Sequence, residues 1–186
     1  MKKILLFIVT ILLLSGCSRE NEQFDWAMSL RTNLLNANGC SFVAQVTADF
    51  MDKTYTFTMC CQSDKDGNVE FEVLEPEHIA GITGIISGDG GKFTFDDTAL
   101  IFALQTDGVL SPVSAPWILV RTIQGGFVRY CTKEDDLLRI TADDSYEDDA
   151  LTMDIWINAA GQPIHADIYE NNQRILTLTV RDYQLL

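Results

Sequence analysis

The residue with the most specific chemical setting in this chain is Cys17, whose thiol follows an apolar run and two small residues. Residues 1–3 include two lysines, and the apolar run 4–14 is shorter than the roughly 20 residues that cross a bilayer. A positively charged start, a short apolar run and small residues before a cleavage site are typical of a bacterial export signal. A cysteine directly after that cleavage site offers its sulfur as the nucleophile to which a lipid is attached.

Residues 14–17, of sequence LSGC, resemble the bacterial lipobox. The resemblance implies that Cys17 is diacylglycerylated, that a lipoprotein signal peptidase cuts before it, and that the new amino terminus can be acylated. One acyl chain holds a protein on a membrane only marginally, whereas two anchor it stably. The alternative is an uncleaved anchor helix with an incidental cysteine.

These features divide the chain into three parts. We expect a lipoprotein signal peptide at 1–16, the lipidated cysteine with a short tether at 17–23, and one folded domain at 24–186. The polar tether reaches at most ~20 Å when extended, so the domain is expected close to the bilayer. The export signal predicts the extracytoplasmic face of the cell membrane, in a host with either one membrane or two.

The charge balance excludes two classes of partner. The chain has 13 Lys and Arg against 27 Asp and Glu, a net charge of −14, and Lys2 and Lys3 lie in the predicted signal. Binding to nucleic acid, or to anionic lipid headgroups by charge alone, needs a basic patch. At 47% apolar residues the chain is also too hydrophobic for a disordered acidic tail.

Four more cysteines, Cys40, Cys60, Cys61 and Cys131, remain after Cys17. Export permits disulfides, and four cysteines allow three pairings. Neighbouring strand residues point to opposite faces, which predicts Cys61 on an apolar face and Cys60 among threonines. The spacing favours one bridge with unassigned partners over a zinc site, because there is no CxxC pair and no nearby His. Buried unpaired thiols are the other alternative.

The remaining polar motifs predict no catalytic site, no metal site and no cofactor. The acidic run 143–149 lacks the alternating ligands and central Gly of a calcium loop and is typical of a solvated hairpin tip. His78 and His165 are the two histidines, and no GxSxG sequence is present. His165 falls on the polar set of a predicted strand. Enzyme activity is therefore the least favoured class.

Hydrophobic periodicity predicts one helix followed by many short strands. Apolar residues in 24–38 recur near a 3.6-residue period, and Gly39 follows where helices commonly end. Segments 42–50 and 54–62 alternate polar and apolar residues, as in a hairpin. A second, largely apolar helix is delimited by a Ser cap and a Gly at 114–125.

The C-terminal third predicts further strands at 127–132, 137–141, 151–157, 163–169 and 174–183. Four more strands are predicted between residues 69 and 104. The resulting total of about eleven strands in meander order predicts a mainly β (α+β) domain, a single curved antiparallel sheet with both helices on one face.

This order of elements resembles the LolA/LolB-like superfamily over roughly residues 24–186. The resemblance rests on the element order and on three stretches, 71–82, 111–116 and 167–176. They are similar to a Gram-positive-type branch of membrane-anchored relatives. The resemblance implies an unclosed β-barrel whose concave side holds an acyl chain. The sorting carrier itself is soluble rather than lipidated, so transport of lipoproteins to an outer membrane is not implied.

A concave apolar face must be filled by helices, by its own side chains or by a guest. We therefore expect a membrane-anchored lipoprotein that binds a hydrophobic ligand, a lipid or acyl chain, in the half-barrel. Candidate lining residues are Phe42, Phe57, Phe71, Phe93, Phe95, Phe102, Trp117 and Phe127. The same side chains can instead pack as a dry core. The chain would then be a cell-surface interaction or sensory module, whose acidic loops near 134–136 and 143–149 contact a basic partner.

Overall fold

The computed structural model describes residues 18–50, 53–95, 98–102, 105–106 and 109–186. The predicted signal peptide and Cys17 lie outside these residues. Among the described residues, no helix has the length and apolar character needed to cross a membrane.

Two α-helices form, both near their predicted positions. Helix α1 (Ser18–Asn36) begins six residues before the predicted start at residue 24 and ends two before the predicted end at 38. The segment 18–23, which the sequence assigns to the tether, is therefore helical. At a rise of about 1.5 Å per residue, it reaches less than half as far as an extended tether. Helix α2 (Ala115–Gly125) agrees with its prediction.

Short 3₁₀ turns occur at Glu77–Ile79 and Pro112–Ser114. The strands are β1 (Cys40–Phe50), β2 (Lys53–Ser63), β3 (Val69–Glu75), β4 (Thr83–Ser87), β5 (Gly90–Phe95), β6 (Thr98–Phe102), β7 (Gln105–Thr106), β8 (Val109–Leu110), β9 (Phe127–Glu134), β10 (Leu137–Asp143), β11 (Thr152–Ile157), β12 (Pro163–Glu170) and β13 (Gln173–Leu185).

One 11-stranded sheet has the order β6-β5-β4-β3-β2-β1-β13-β12-β11-β10-β9, and β7 and β8 form a separate pair. All neighbouring strands are antiparallel. The first strand pairs with the last, so the sheet grows outwards from β1 and β13 and ends at β6 and β9. The sheet does not close, which confirms the predicted mainly β architecture with two helices.

Alternation of buried and more exposed residues, regular in β3 and β11, gives the sheet one buried face. In β1, Phe42, Ala44, Val46 and Ala48 are buried, as the sequence predicted. Both helices lie on this concave face. Helix α1 contacts α2 and β9, while α2 also contacts β2 and β13. Most of α2 is buried, consistent with its all-round apolar sequence.

Arg31 of α1 holds the C-terminal end of α2. Its Nε donates to the carbonyl oxygen of Ile123 at 2.8 Å, and its Nη2 donates to those of Gly126 at 2.6 Å and Thr122 at 3.4 Å. The last carbonyls of a helix have no partner within the helix and carry partial negative charge. A guanidinium satisfies both needs, so Arg31 fixes the two helices against each other. Burial lowers the pKa of Arg31 below its ordinary value.

Candidate functional site

Four of the eight predicted lining residues lie in the core. Phe42, Phe57, Phe71 and Trp117 are all buried. The ring of Phe42 packs 6.2 Å from that of Tyr183, centroid to centroid. These side chains contact neighbours within one continuous cluster that includes the inward residues of α1 and α2. Beneath the helices, the described side chains of the concave face therefore pack against those of α1 and α2.

The other four candidates have different positions. Phe93 is half-buried, with its ring 5.7 Å from that of Phe71 in an edge-to-face arrangement. Phe95 and Phe102 lie in β5 and β6, but their side chains fall outside the described residues. Phe127 is 48% exposed. It does not join the concave face, because it pairs with Asp143 and shares that residue's outward orientation.

Phe57 and Phe71 each border a surface groove rather than an interior chamber. The groove at Phe71 measures about 480 Å³ and is lined mainly by outward-facing residues of β2 to β5, among them Glu70 and Lys92. The groove at Phe57 measures about 520 Å³ and lies beside the turn that follows β3. Among the described candidates, Phe57 and Phe71 thus border different grooves on the outside of the sheet.

Trp117 borders a separate cavity of about 270 Å³, here called the α2 cavity. It lies between α2, the end of β8, the loop 144–151 and the end of β12. Its apolar lining consists of Leu110, Trp117, Ile118 and Leu151. Its polar lining consists of Arg121, Asp144, Ser145, Glu147, Asp149 and Glu170. An apolar floor with a mainly anionic rim suits a ligand that is both cationic and apolar.

The polar groups around the α2 cavity are held in place. The guanidinium carbon of Arg121 lies 5.0 Å from the centroid of the Trp117 ring, within the range of a cation–π contact. An oxygen of Asp144 accepts a hydrogen bond from the Leu151 amide at 2.9 Å, which closes the base of the loop. Burial raises the pKa of Asp144. The hydrogen bond from the Leu151 amide and the charge of Arg121 oppose this rise, and Asp143 adds to it.

A second, smaller groove of about 180 Å³ lies on the other side of the same loop. Phe127 and Tyr146 line it, with their ring centroids 5.7 Å apart. Below them, Asp143 binds Arg129 Nε at 2.7 Å and accepts from the Thr152 hydroxyl at 2.9 Å. Glu147 borders both this groove and the α2 cavity, so the two depressions adjoin. We call the loop 143–151 with Trp117, Phe127 and Tyr146 the acidic surface.

The sequence drew attention to the acidic loop but not to the side chains that flank it. It treated 143–149 as a hairpin tip and as a contact for a basic partner. It did not indicate that Leu110 and α2 lie beside this loop. The one local signal was the spacing of Trp117 and Arg121, four residues apart, which places them together on a helix.

The cysteines follow the predicted facing but do not form the predicted bridge. Cys61 is buried and Cys60 is exposed, as the alternation of β2 predicted. Cys40, Cys60, Cys61 and Cys131 are all free. Cys131 lies in the edge strand β9, Cys60 faces away from the core, and Cys61 lies opposite Phe42 rather than Cys40. Cys40 instead places its Sγ 3.3 Å from the Ser63 Oγ. Burial raises the pKa of the Cys61 thiol far above its ordinary value.

His165 lies on the outer face, as its place in the alternation predicted. Its Nε2 is 3.4 Å from Asp167, and its ring packs 5.0 Å from Trp156. Asp167 is buried and also accepts hydrogen bonds from the Thr177 hydroxyl at 2.8 Å and from Arg174 at 3.4 Å. These contacts connect β12 and β13, so the polar cluster stabilises the sheet.

Solved structures with a similar course of the chain include members of the superfamily that the sequence resembles. A LolA superfamily protein from Nitrosomonas europaea is 10% identical, with 86% of this chain and 93% of that chain covered and a TM-score of 0.44. The lipoprotein LppX from Mycobacterium tuberculosis is 10% identical, with 87% and 93% covered and a TM-score of 0.42. A structure of the CwlD amidase from Clostridioides difficile in complex with the GerS lipoprotein gives 12% identity, 91% and 97% coverage and a TM-score of 0.45.

Comparison with functionally curated proteins finds no match to this chain. The start of the chain, by contrast, matches a family model. Residues 1–18 match the prokaryotic membrane lipoprotein lipid attachment site, which contains Cys17. This match agrees with the lipobox prediction and supports anchoring of the chain to a membrane as a lipoprotein.

Proposed function

We propose that this chain is an extracytoplasmic, lipid-anchored interaction module that binds a basic protein segment through its acidic surface. The observation that carries the proposal is the α2 cavity, in which an apolar floor at Trp117 and Leu151 is rimmed by Asp144, Glu147 and Asp149. A lysine or arginine side chain has an apolar stem and a cationic head, and it matches both parts of this cavity.

The size and lining of the cavity favour this occupant over an acyl chain. Pockets for drug-sized ligands generally measure about 300–1,000 Å³ and are mostly apolar. The α2 cavity has about 270 Å³ and a largely charged rim. Placing methylene groups against charged side chains forfeits the burial that would drive lipid binding, about 0.8 kcal/mol per group.

The surroundings of the cavity also fit a protein interface. Trp117 and Tyr146 are of residue types that dominate the binding energy of interfaces, and Phe127 is of a type that is enriched at interfaces. A net charge of −14 attracts a basic partner over a distance and raises its association rate. The lipid anchor holds the module at the membrane without help from its charge.

A matched pair of charge variants tests the proposal, with a synthetic peptide of alternating Lys and Leu as the probe. We expect the double variant Glu147→Gln, Asp149→Asn to weaken binding about tenfold or more, since two cavity charges are lost. The control Asp135→Asn, Asp136→Asn removes the same total charge from the turn between β9 and β10. It should change the dissociation constant by no more than about twofold, because only long-range attraction is reduced. Equal losses in both variants would refute a site at the α2 cavity.

A second candidate function is binding of a hydrophobic ligand at the end of the concave face. Neither helix has a substantial contact with β4, β5 or β6. There Leu100 is 64% exposed and pairs with the half-buried Phe93 on the concave side. A fluorescent fatty acid would test this candidate. Leu100→Glu should abolish its binding, whereas Leu35→Glu on the exposed side of α1 should leave binding unchanged. Equal binding to both variants would reject a site at Leu100.

A further inference from the structure

Arg121 is the one cationic side chain among the described residues that line the α2 cavity. The acidic residues of the same lining are Asp144, Glu147, Asp149 and Glu170. The side chain of Arg121 is exposed, and its guanidinium carbon lies 5.0 Å from the centroid of the Trp117 ring. A guanidinium within about 6 Å of an aromatic centroid is attracted to the face of the ring. The chain thus places a cation of its own against the apolar floor of the cavity.

Weak contacts hold this cation in place. None of the ion pairs within the described residues includes Arg121. Its charge lowers the pKa of Asp144, so the guanidinium and this carboxylate attract each other without a close ion pair. A cation–π contact at an exposed site is among the weaker side-chain interactions. Arg121 can therefore leave Trp117 at low cost when another cation takes its position.

A basic ligand needs the position that Arg121 holds. A lysine or arginine of a bound peptide would lay its apolar stem on Trp117 and direct its cationic head towards the carboxylates of the rim. Arg121 already lies over this ring and beside these carboxylates. Two cations brought together in a cavity of about 270 Å³ repel each other. Binding of a basic side chain therefore requires that Arg121 moves away from Trp117.

We infer that Arg121 is an internal competitor of the ligand, which occupies the cation position of the α2 cavity in the free protein and is displaced by a basic side chain of the partner. This inference rests on the proposed function of the cavity. The apparent affinity of a site falls with the fraction of molecules in which the site is open. Arg121 therefore weakens binding of a single cation, and a peptide that also contacts the groove at Phe127 and Tyr146 is favoured over a free amino acid.

Removing the guanidinium tests this inference, with the full lipidated chain in detergent micelles and the same peptide of alternating Lys and Leu. We expect Arg121→Gln to lower the dissociation constant about fivefold or more, because the ring is freed and a like charge is lost. The control Arg181→Gln removes the same charge from an exposed position on β13 and should change the constant by no more than about twofold. Unfolding midpoints establish that both variants remain folded.

The direction of the effect decides between competition and direct binding by Arg121. Weaker binding to Arg121→Gln would mean that Arg121 contacts the ligand, and an effect equal to that of Arg181→Gln would mean that only net charge matters. Either result would overturn the inference.

The charge variants of the cavity separate this inference from the proposed function. The double variant Glu147→Gln, Asp149→Asn weakens binding under the proposed function, whether or not Arg121 competes. If it does so while Arg121→Gln fails to tighten binding, the site stands and the competitor is refuted. If neither variant differs from its control, both the site and the competitor are refuted.

Nuclear magnetic resonance can follow the displacement in the wild type. Protons near the face of an indole ring resonate upfield of their usual position, so the δ-methylene protons of Arg121 should do so in the free protein. Their signals are assigned by their loss in Arg121→Gln. Saturating peptide should return them to the range of an exposed arginine. Signals that stay upfield with peptide bound, or that are not upfield without it, would contradict displacement from Trp117.

Discussion

Replacing Arg31 by methionine should be among the most destabilising surface-accessible changes in this domain. Methionine keeps much of the apolar stem but removes the guanidinium that binds the last carbonyls of α2. Two short hydrogen bonds from a charged donor are lost, each worth about 1.5–3 kcal/mol. Water can reach the end of α2, and its hydrogen bonds to the freed carbonyls recover part of the lost free energy. We therefore expect a net loss of about 2–4 kcal/mol in the free energy of unfolding.

The assay is urea and thermal unfolding followed by circular dichroism. For a domain of this size, a loss of 2–4 kcal/mol corresponds to a fall in Tm of about 5–15 °C. Arg31→Lys should lie between the wild type and Arg31→Met, because an ammonium cannot reproduce the fork of the guanidinium. The control is Arg181→Met, which removes the same charge from an exposed position on β13. A loss below about 1 kcal/mol for Arg31→Met would refute the view that Arg31 fixes α2.

Three further predictions concern backbone, thiol and carboxyl chemistry. Gly39→Ala should lower the free energy of unfolding by about 2 kcal/mol or more, because Gly39 has a φ of +139° and an added Cβ would meet a backbone oxygen of β2. The control in the same unfolding assay is Gly88→Ala, because a Cβ added at Gly88 meets open space. Iodoacetamide should modify Cys60 well before Cys61 in the folded chain, because Cys60 is exposed and Cys61 is buried with a raised pKa. Peptide mass spectrometry measures both rates, and similar rates would contradict the placement of the two thiols on opposite faces of β2. Because burial raises the pKa of Asp144, the wild type loses stability as pH rises through that pKa. Asp144→Asn avoids the cost of burying a charged carboxylate, so its urea midpoint should exceed that of the wild type near pH 7 and approach it near pH 3. A difference in urea midpoint that does not change with pH would contradict a raised pKa at Asp144.

The fold could be predicted where one physical signal dominated. Alternation in β1 and β2 fixed which side chains enter the core, because a strand with one buried face tolerates no shift of one residue. The early start of α1 was not predictable from periodicity, since the segment 18–23 contains no apolar stripe. Helix formation there depends on continuity with the packed turn that follows rather than on amphipathicity.

The placement of the candidate site depended on packing between distant segments. Phe127 alternates correctly within its own strand, but the register of β9 against β10 shifts between Thr141 and Ala142. Such irregularities change which residues share a face and leave no mark in a hydrophobic pattern. The α2 cavity likewise brings together residues from Leu110 to Glu170, and no local spacing relates them.

The central claim is that the half-barrel is filled by its own side chains and acts through its surface. Native mass spectrometry of the full lipidated chain, extracted in mild detergent, tests this claim most directly. The account predicts the mass of the anchored polypeptide, alone or with a bound basic peptide, and no lipid retained at one molecule per chain. A stoichiometric lipid adduct that survives detergent removal would contradict it and would favour a hydrophobic ligand held by the half-barrel.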